Sequence, residues 1–138
     1  MTALERWAGE VSDLFQVSCA FECRDPVLIH DETVADHLYY IANEAVNNAI
    51  KHGKAGHIAI RLLTRTAGGI LQIEDDGLGF ERTSVSQSGL GLRIMNYRAN
   101  MIGASLVIQS IPAEGTLVSC WFPVRVRAAG ARKLNDAQ

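Results

Sequence analysis

Ile41-Ala42-Asn43-Glu44-Ala45-Val46-Asn47-Asn48-Ala49-Ile50-Lys51-His52-Gly53 is the stretch on which the fold turns. It ends the longest helical pattern in the chain, predicted over 33–52, with Asp31 or Thr33 as the cap and Gly53 as the stop. At ~100° per residue, Val34, Leu38, Ile41, Ala42, Ala45, Val46 and Ala49 fall in one arc, wide enough to pack on a sheet. Glu44 and Asn48, four residues apart, stack on the border of that arc together with His37 and Lys51. A carboxylate, an amide oxygen and an amine along one edge suit a ligand cleft. The amide oxygen is also the hard donor that Mg²⁺ accepts alongside waters and phosphates. Taken alone, the row reads more simply as the border where a packed face meets solvent.

Outward from this helix, both flanks alternate helical and strand patterns. Leu4, Trp7, Ala8, Val11, Leu14 and Phe15 recur at helical spacing over 4–15. A strand is predicted over Val17–Arg24, with Val17, Cys19, Phe21 and Cys23 on its buried side, then a loop holding Pro26. Ile58, Ile60 and Leu62 alternate as a strand, Ile70–Ile73 begin another, and Ala67-Gly68-Gly69 reads as the hairpin turn between them. An irregular stretch, Asp75 to Ser88, precedes a second helix predicted over about 90–102 and stopped by Gly103. Its expected core arc is Leu90, Ile94, Tyr97 and Met101, with Arg93, Asn96 and Asn100 opposite and Arg98 near the apolar side. Leu106–Ser110 and Thr116–Phe122 read as a final hairpin around 112–115. A single domain is expected over 1–124, followed by a frayed tail over 125–138. Closely joined strand pairs rule out a purely parallel sheet. The expected class is α+β: a two-layer α/β sandwich, with helices on one face of a mixed, largely antiparallel sheet.

Composition narrows the function. With 138 residues, 48% hydrophobic and 20% charged, the chain can build a core that buries roughly 68% of its extended surface, which excludes disorder. A formal net charge of −2 argues against nucleic acid or an anionic membrane as partner. No apolar run approaches the ~18 residues of a membrane span, so a soluble, cytoplasmic domain is expected. Three cysteines (Cys19, Cys23, Cys120) form no disulfide framework, and the four histidines supply no metal cluster with them. Trp7, Trp121 and His57 read as packing residues, and His52 as a structural hydrogen-bonding group.

Two glycine motifs carry further chemistry. Glu74-Asp75-Asp76-Gly77-Leu78-Gly79-Phe80 ends an apolar strand; its glycines let a ligand approach, and its carboxylate could accept from an exocyclic amine such as that of adenine. The bland alternative is an Asp-Gly turn. Ser88-Gly89-Leu90-Gly91-Leu92-Arg93 is expected to open the second helix, where free amides attract phosphate. It is neither a dinucleotide fingerprint nor a P-loop.

In this order and spacing, the motifs resemble the ATP-binding domain of sensor histidine kinases, in the superfamily of gyrase, Hsp90 and MutL, over roughly 36–124. Glu44 to His52 is similar to the family's N box, Asp75-Asp76-Gly77-Leu78-Gly79 to its Asp-x-Gly-x-Gly box, Gly89-Leu90-Gly91-Leu92 to its second glycine box, and Gly115-Thr116 to its Gly-Thr signal. The resemblance implies a Bergerat-type ATP-binding fold with ATP and Mg²⁺ as cofactors. It also implies Asn48 on the metal, Glu44 as the catalytic acid that orients or deprotonates the attacking group, and Lys51 near the phosphates. Asp75 would recognise adenine, and Gly77, Gly79, Gly89, Gly91, Leu92 and Thr116 would line the nucleotide site. The run Arg93-Ile94-Met95-x-Tyr97-Arg98-Ala99 and a short lid over 81–88 resemble the NarX/DesK type. The implied partners are a dimerisation and histidine-phosphotransfer domain and, downstream, a response regulator. No histidine lies in the first helix. The sequence therefore reads as the catalytic domain of a larger kinase, either cytoplasmic or anchored in the inner membrane, and is not expected to autophosphorylate alone. Rival readings are an anti-sigma-type serine kinase of the same fold and an interaction module that has lost nucleotide.

Overall fold

The computed structural model describes residues 3–23, 31–79 and 85–123, with the backbone alone over 85–89. The expectations placed on the Pro26 loop, on 81–84 of the lid and on the tail lie outside these residues. Within them the order is α1 (Ala3–Phe15), β1 (Ser18–Glu22), α2 (Glu32–Lys51), β2 (His57–Arg65), β3 (Gly68–Asp75), α3 (Val85–Met101), β4 (Ser105–Ile111) and β5 (Gly115–Pro123).

One five-stranded sheet runs β1-β2-β3-β5-β4. β1 pairs with β2 in parallel, and the other three pairings are antiparallel. The parallel pair is joined through α2, the crossover that parallel strands need. Strand period two sends Ile58, Ile60 and Leu62 of β2, Leu71 and Ile73 of β3, and Val118, Cys120 and Phe122 of β5 to one face. There they form one core with Leu38, Ile41, Ala42, Ala45, Val46 and Ala49 of α2. The arc expected on α2 is the buried arc, with Val34 half-buried at its edge. Phe122, Ile41, Ile60 and Leu71 are fully buried, so truncating Phe122 to Ala is expected to cost about 3–5 kcal/mol.

Asp31 caps α2: its Oδ1 accepts from Thr33 N at 2.8 Å and from Val34 N at 3.4 Å. At the other end, the N–H groups of His52 and Gly53 both donate to Asn48 O. His52 itself is exposed.

Four expectations need correction. Gly68 and Gly69 are the first two residues of β3, not the turn, which is Thr66-Ala67 with Ala67 at φ 61°. They are glycine because a Cβ on Gly68 would strike the Phe122 carbonyl, and one on Gly69 would sit 2.7 Å from the Phe122 ring. Cys23 lies just beyond β1 and is exposed, while Cys19 is buried. α3 begins at Val85, about a turn earlier than expected. Its core residues are Leu92, Met95 and Ala99, leaving Leu90, Tyr97 and Met101 exposed. Apolar residues surround this helix, so its own periodicity does not choose a face, and the packing against α2 and β4 does.

Candidate functional site

The three motif-bearing segments meet along α2. Its C-terminal turn is tied to the loop after β3 by a main-chain bond, Leu78 N–H to Gly53 O at 2.7 Å. A Cβ on Gly77 would lie 2.5 Å from that same carbonyl oxygen, so only glycine lets the loop approach. Gly79 has φ 67°, and a Cβ there would collide with the Ile111 carbonyl. The loop is also held from the far side, where Ala113 N–H donates to Leu78 O at 2.5 Å.

Asp75 ends β3, half-buried at the head of this loop. Its Oδ1 accepts from Gly77 N at 2.8 Å, and the Thr116 amide donates to the same carboxylate. Burial is the largest influence on this group and pushes its pKa up; the two amides oppose it, and the neighbouring charges of Asp76 and Glu74 add to the rise. A carboxylate has about four acceptor positions, so two backbone donors leave capacity for a further one. Thr116 pairs with Asp75 in the β3–β5 register, and its hydroxyl meets Ser110 Oγ at 2.9 Å. Gly115, at φ 120°, lets β5 pass the Asp75 carbonyl, which any Cβ would strike.

The motif of α3 arrives from the opposite side. A methyl placed on Gly91 would lie 3.0 Å from Glu44 Oε1 and 3.5 Å from both Asn48 amide atoms. Glu44 and Asn48 are half-buried on α2 and line the seam opposite Gly91. Leu92 turns its side chain into the core, so only its main chain is available to a ligand. Lys51 is exposed in the last turn of α2. Gly89 and Gly91 lie inside α3 rather than at its start. The amides of 89–92 therefore fall within the helical ladder, and the unpaired amides of α3 are those of 85–88.

Reading the residues singly missed Asp76 and the role of His57. Asp76 Oδ1 accepts from Gly56 N and His57 N, each at 2.9 Å, and its Oδ2 lies 2.8 Å from His57 Nδ1. These bonds, the His57 amide foremost, hold its carboxyl down at about 2. His57 is thus an exposed anchor of the loop and not a packing residue. The signal available was the last carboxylate of Glu74-Asp75-Asp76, to which the reading of the run gave no role.

Chemically, the seam offers a carboxylate and an amide oxygen against a bare helix wall, and the loop offers a recessed acceptor. Among the described residues, no three His, Cys, Asp or Glu side chains are grouped to hold a metal. A divalent ion would take most of its ligands from water and bound phosphate, which is the habit of Mg²⁺. Among the described residues no helix is long and apolar enough to cross a membrane.

The chain is similar to known proteins. The chain is 33% identical over 122 residues to the nitrate/nitrite sensor protein NarQ of Escherichia coli, covering 88% of this chain and 22% of that protein. It is 34% identical over 98 residues to the sensor protein VraS of Staphylococcus saprophyticus, covering 71% and 28%. It thus spans about a quarter of the length of the curated relatives it matches. These relatives are sensor proteins, which does not favour the serine-kinase alternative. Among solved structures, the histidine kinase domain of the blue-light activated kinase EL346 from Erythrobacter litoralis superposes at a TM-score of 0.72 with 19% identity, covering 88% of this chain and 59% of that one. The ATP binding domain of PrrB from Mycobacterium tuberculosis gives 0.68 with 21% identity, covering 88% and 91%. Both share the fold of this chain, an α+β sandwich, whose sheet here has five strands. The histidine kinase-, DNA gyrase B- and HSP90-like ATPase family matches residues 33–126, from the first turn of α2 to beyond the last strand, and the chain belongs to that family.

Proposed function

We infer that the chain is the ATP-binding catalytic domain of a two-component sensor histidine kinase of the NarX/DesK type, and that it delivers the γ-phosphoryl group of ATP to a histidine on a separate dimerisation domain. The observation that carries this reading is the contact of Gly91 with Glu44 and Asn48, which joins two of the sequence motifs at one seam. In this reading Asp75 uses its remaining acceptor capacity for the exocyclic amine of adenine. Gly77 and Gly79 keep the purine's approach clear, and Thr116, through its amide, holds the Asp75 carboxylate in place. Asn48, with water, would hold Mg²⁺, which when bound offsets phosphate charge. Lys51 supplies a further cation near the phosphates. Glu44 orients the incoming imidazole. The imidazole nitrogen bonds to Pγ as the bond from Pγ to the bridging oxygen breaks and ADP leaves. Catalysis here is positioning and charge stabilisation, as phosphoryl transfer generally requires.

The amides of 89–92 can meet phosphate only if the first turn of α3 opens, since they are otherwise spent in the helix. Hydrogen exchange over 85–92 should therefore change when Mg-ATP is added; equal protection with and without it removes these amides from the site. The domain's partners in this reading are the phosphotransfer domain and a response regulator, with neither nucleic acid nor membrane touching it. Titration calorimetry of Mg-ATP into the folded chain is the direct test. Saturable binding that weakens without Mg²⁺ is expected, and a folded chain that takes up no adenine nucleotide would overturn the reading. A Glu44→Gln variant should still bind ATP but transfer phosphate poorly to an acceptor domain supplied in trans.

A further inference from the structure

α2 and α3 touch at a second point, away from Gly91. Arg98 stacks its guanidinium 4.2 Å from the centre of the Tyr40 ring. Its Nη1 lies 3.3 Å from His37 Nδ1. Arginine can only donate, so His37 accepts through Nδ1 and carries any ring proton on Nε2. Tyr40 in turn meets Tyr39 edge-on at 5.5 Å, and Tyr39 meets Trp7 of α1 at 5.4 Å. Tyr40 is thus flanked by one ring, which itself meets a second on α1.

The two contact points are in step. Arg98 follows Gly91 by seven residues on α3, and His37 precedes Glu44 by seven on α2, so each pair is about 10 Å apart along its helix. Seven residues bring a helix back to nearly the same face. One seam therefore carries a bare contact at Gly91 and a bulky one at Arg98, two points on the approach of α2 to α3. At Gly91 that approach matters, since Glu44 Oε1 is already at the limit of contact for any added atom.

We propose that Arg98, seated on Tyr40 and hydrogen-bonded to His37, is a positioning residue that sets the spacing of α2 and α3 at Gly91, and with it the placement of Glu44 and Asn48 toward the nucleotide. The proposal rests on the reading of that seam as the nucleotide site. It assigns function to three residues outside the residues read as lining the nucleotide site, none of which touches ligand in this reading.

The test uses the whole chain and two readouts. The Gly91 amide resonance in a ¹H–¹⁵N correlation spectrum, recorded without nucleotide, reports the seam itself. Mg-ATP affinity reports the consequence. Arg98→Met, which keeps the aliphatic stem and removes the charged head, should displace the Gly91 resonance and weaken Mg-ATP binding about threefold to tenfold. Tyr40→Leu should act alike. Arg98→Lys, which can still cover the ring and donate, should recover part of the loss. Arg65→Met removes an exposed arginine from the end of β2 and should leave both readouts unchanged, which separates position from mere charge.

A Gly91 resonance unmoved by Arg98→Met in a folded chain overturns the proposal, and so does a moved resonance with unaltered ATP affinity. If the unsubstituted chain binds no ATP, the nucleotide reading fails, and the spacing role is decided by the resonance alone. Should Arg98→Met fail to fold, Arg98→Lys supplies the same test with a smaller displacement: a shifted Gly91 supports the role, and an unshifted one overturns it.

Discussion

Asp75 and Asp76 are neighbours in the chain and opposites in their surroundings. Asp75 faces inward, half-buried, with two amides on its carboxylate and its pKa pushed up by burial. Asp76 faces outward, with two amides and an imidazole on its carboxylate and its pKa held at about 2. The inner carboxylate costs the free protein some desolvation and keeps acceptor capacity. The outer one uses its bonding to tie the loop to the start of β2. Two identical side chains thus divide the work of one loop, Asp76 supporting its shape and Asp75, in the proposed function, gripping the ligand.

Breaking the inner half should have the largest effect. Asp75→Asn is expected to weaken Mg-ATP binding by about 1.5–3 kcal/mol, the usual worth of a hydrogen bond to a charged group, measured by calorimetry. The melting temperature without ligand should stay level or rise, because a desolvated charge is removed. A large fall in stability would mean that Asp75 supports the loop as Asp76 does, and the comparison would fail.

Gly115→Ala strikes the strand that positions the inner half. It places a Cβ against the Asp75 carbonyl at a φ of 120° and is expected to cost about 1–3 kcal/mol of stability, read by denaturant unfolding. Gly103→Ala is the matched control, because φ there is also positive, 68°, but no atom lies within 4 Å of the added Cβ; it should cost less.

Asp76→Asn tests the outer half, with an expected loss of about 0.5–1.5 kcal/mol in stability, kept small by exposure. Mg-ATP affinity should change little. A fall in affinity as large as that of Asp75→Asn would show that the two carboxylates share one task.

The smallest effect is in acid. The carboxyl of Asp76 is depressed from its usual 3.8 to about 2 in the folded chain. Its contribution is therefore complete above about pH 4 and is lost as pH falls through 2. The stability difference between the protein and Asp76→Asn should shrink over that window. Asp75 works in the opposite sense, since its raised pKa makes the ionised form the less favourable one in the fold.

α2 and α3 differ in how far their sequences can be read, for a physical reason. α2 has a capping aspartate, a single apolar arc and a terminal glycine, all local features, and the helix lies at Glu32–Lys51 with that arc buried. α3 has Leu90, Leu92, Ile94, Met95, Tyr97 and Met101 spread around it, so no arc stands out, and the expected core residues Leu90, Tyr97 and Met101 are exposed. Gly68-Gly69 resembles turn chemistry, yet the pair is needed in the strand because Phe122 arrives from β5, a residue over fifty positions away. The spacing of Asp75 from Gly77 and Gly79 is local, which is why the loop was legible. The division of labour between Asp75 and Asp76 was not, since burial and the Gly56–His57 amides come from elsewhere in the chain.

The amino-acid order alone determined which elements form, the motifs that mark the family, and the loop glycines. Tertiary structure alone decided which face of α3 is buried, that Gly91 abuts Glu44 and Asn48, and that Arg98 settles on Tyr40 beside His37. Helical period and turn preference act over a few residues, whereas desolvation, close approach and cross-helix pairing exist only once distant segments pack together.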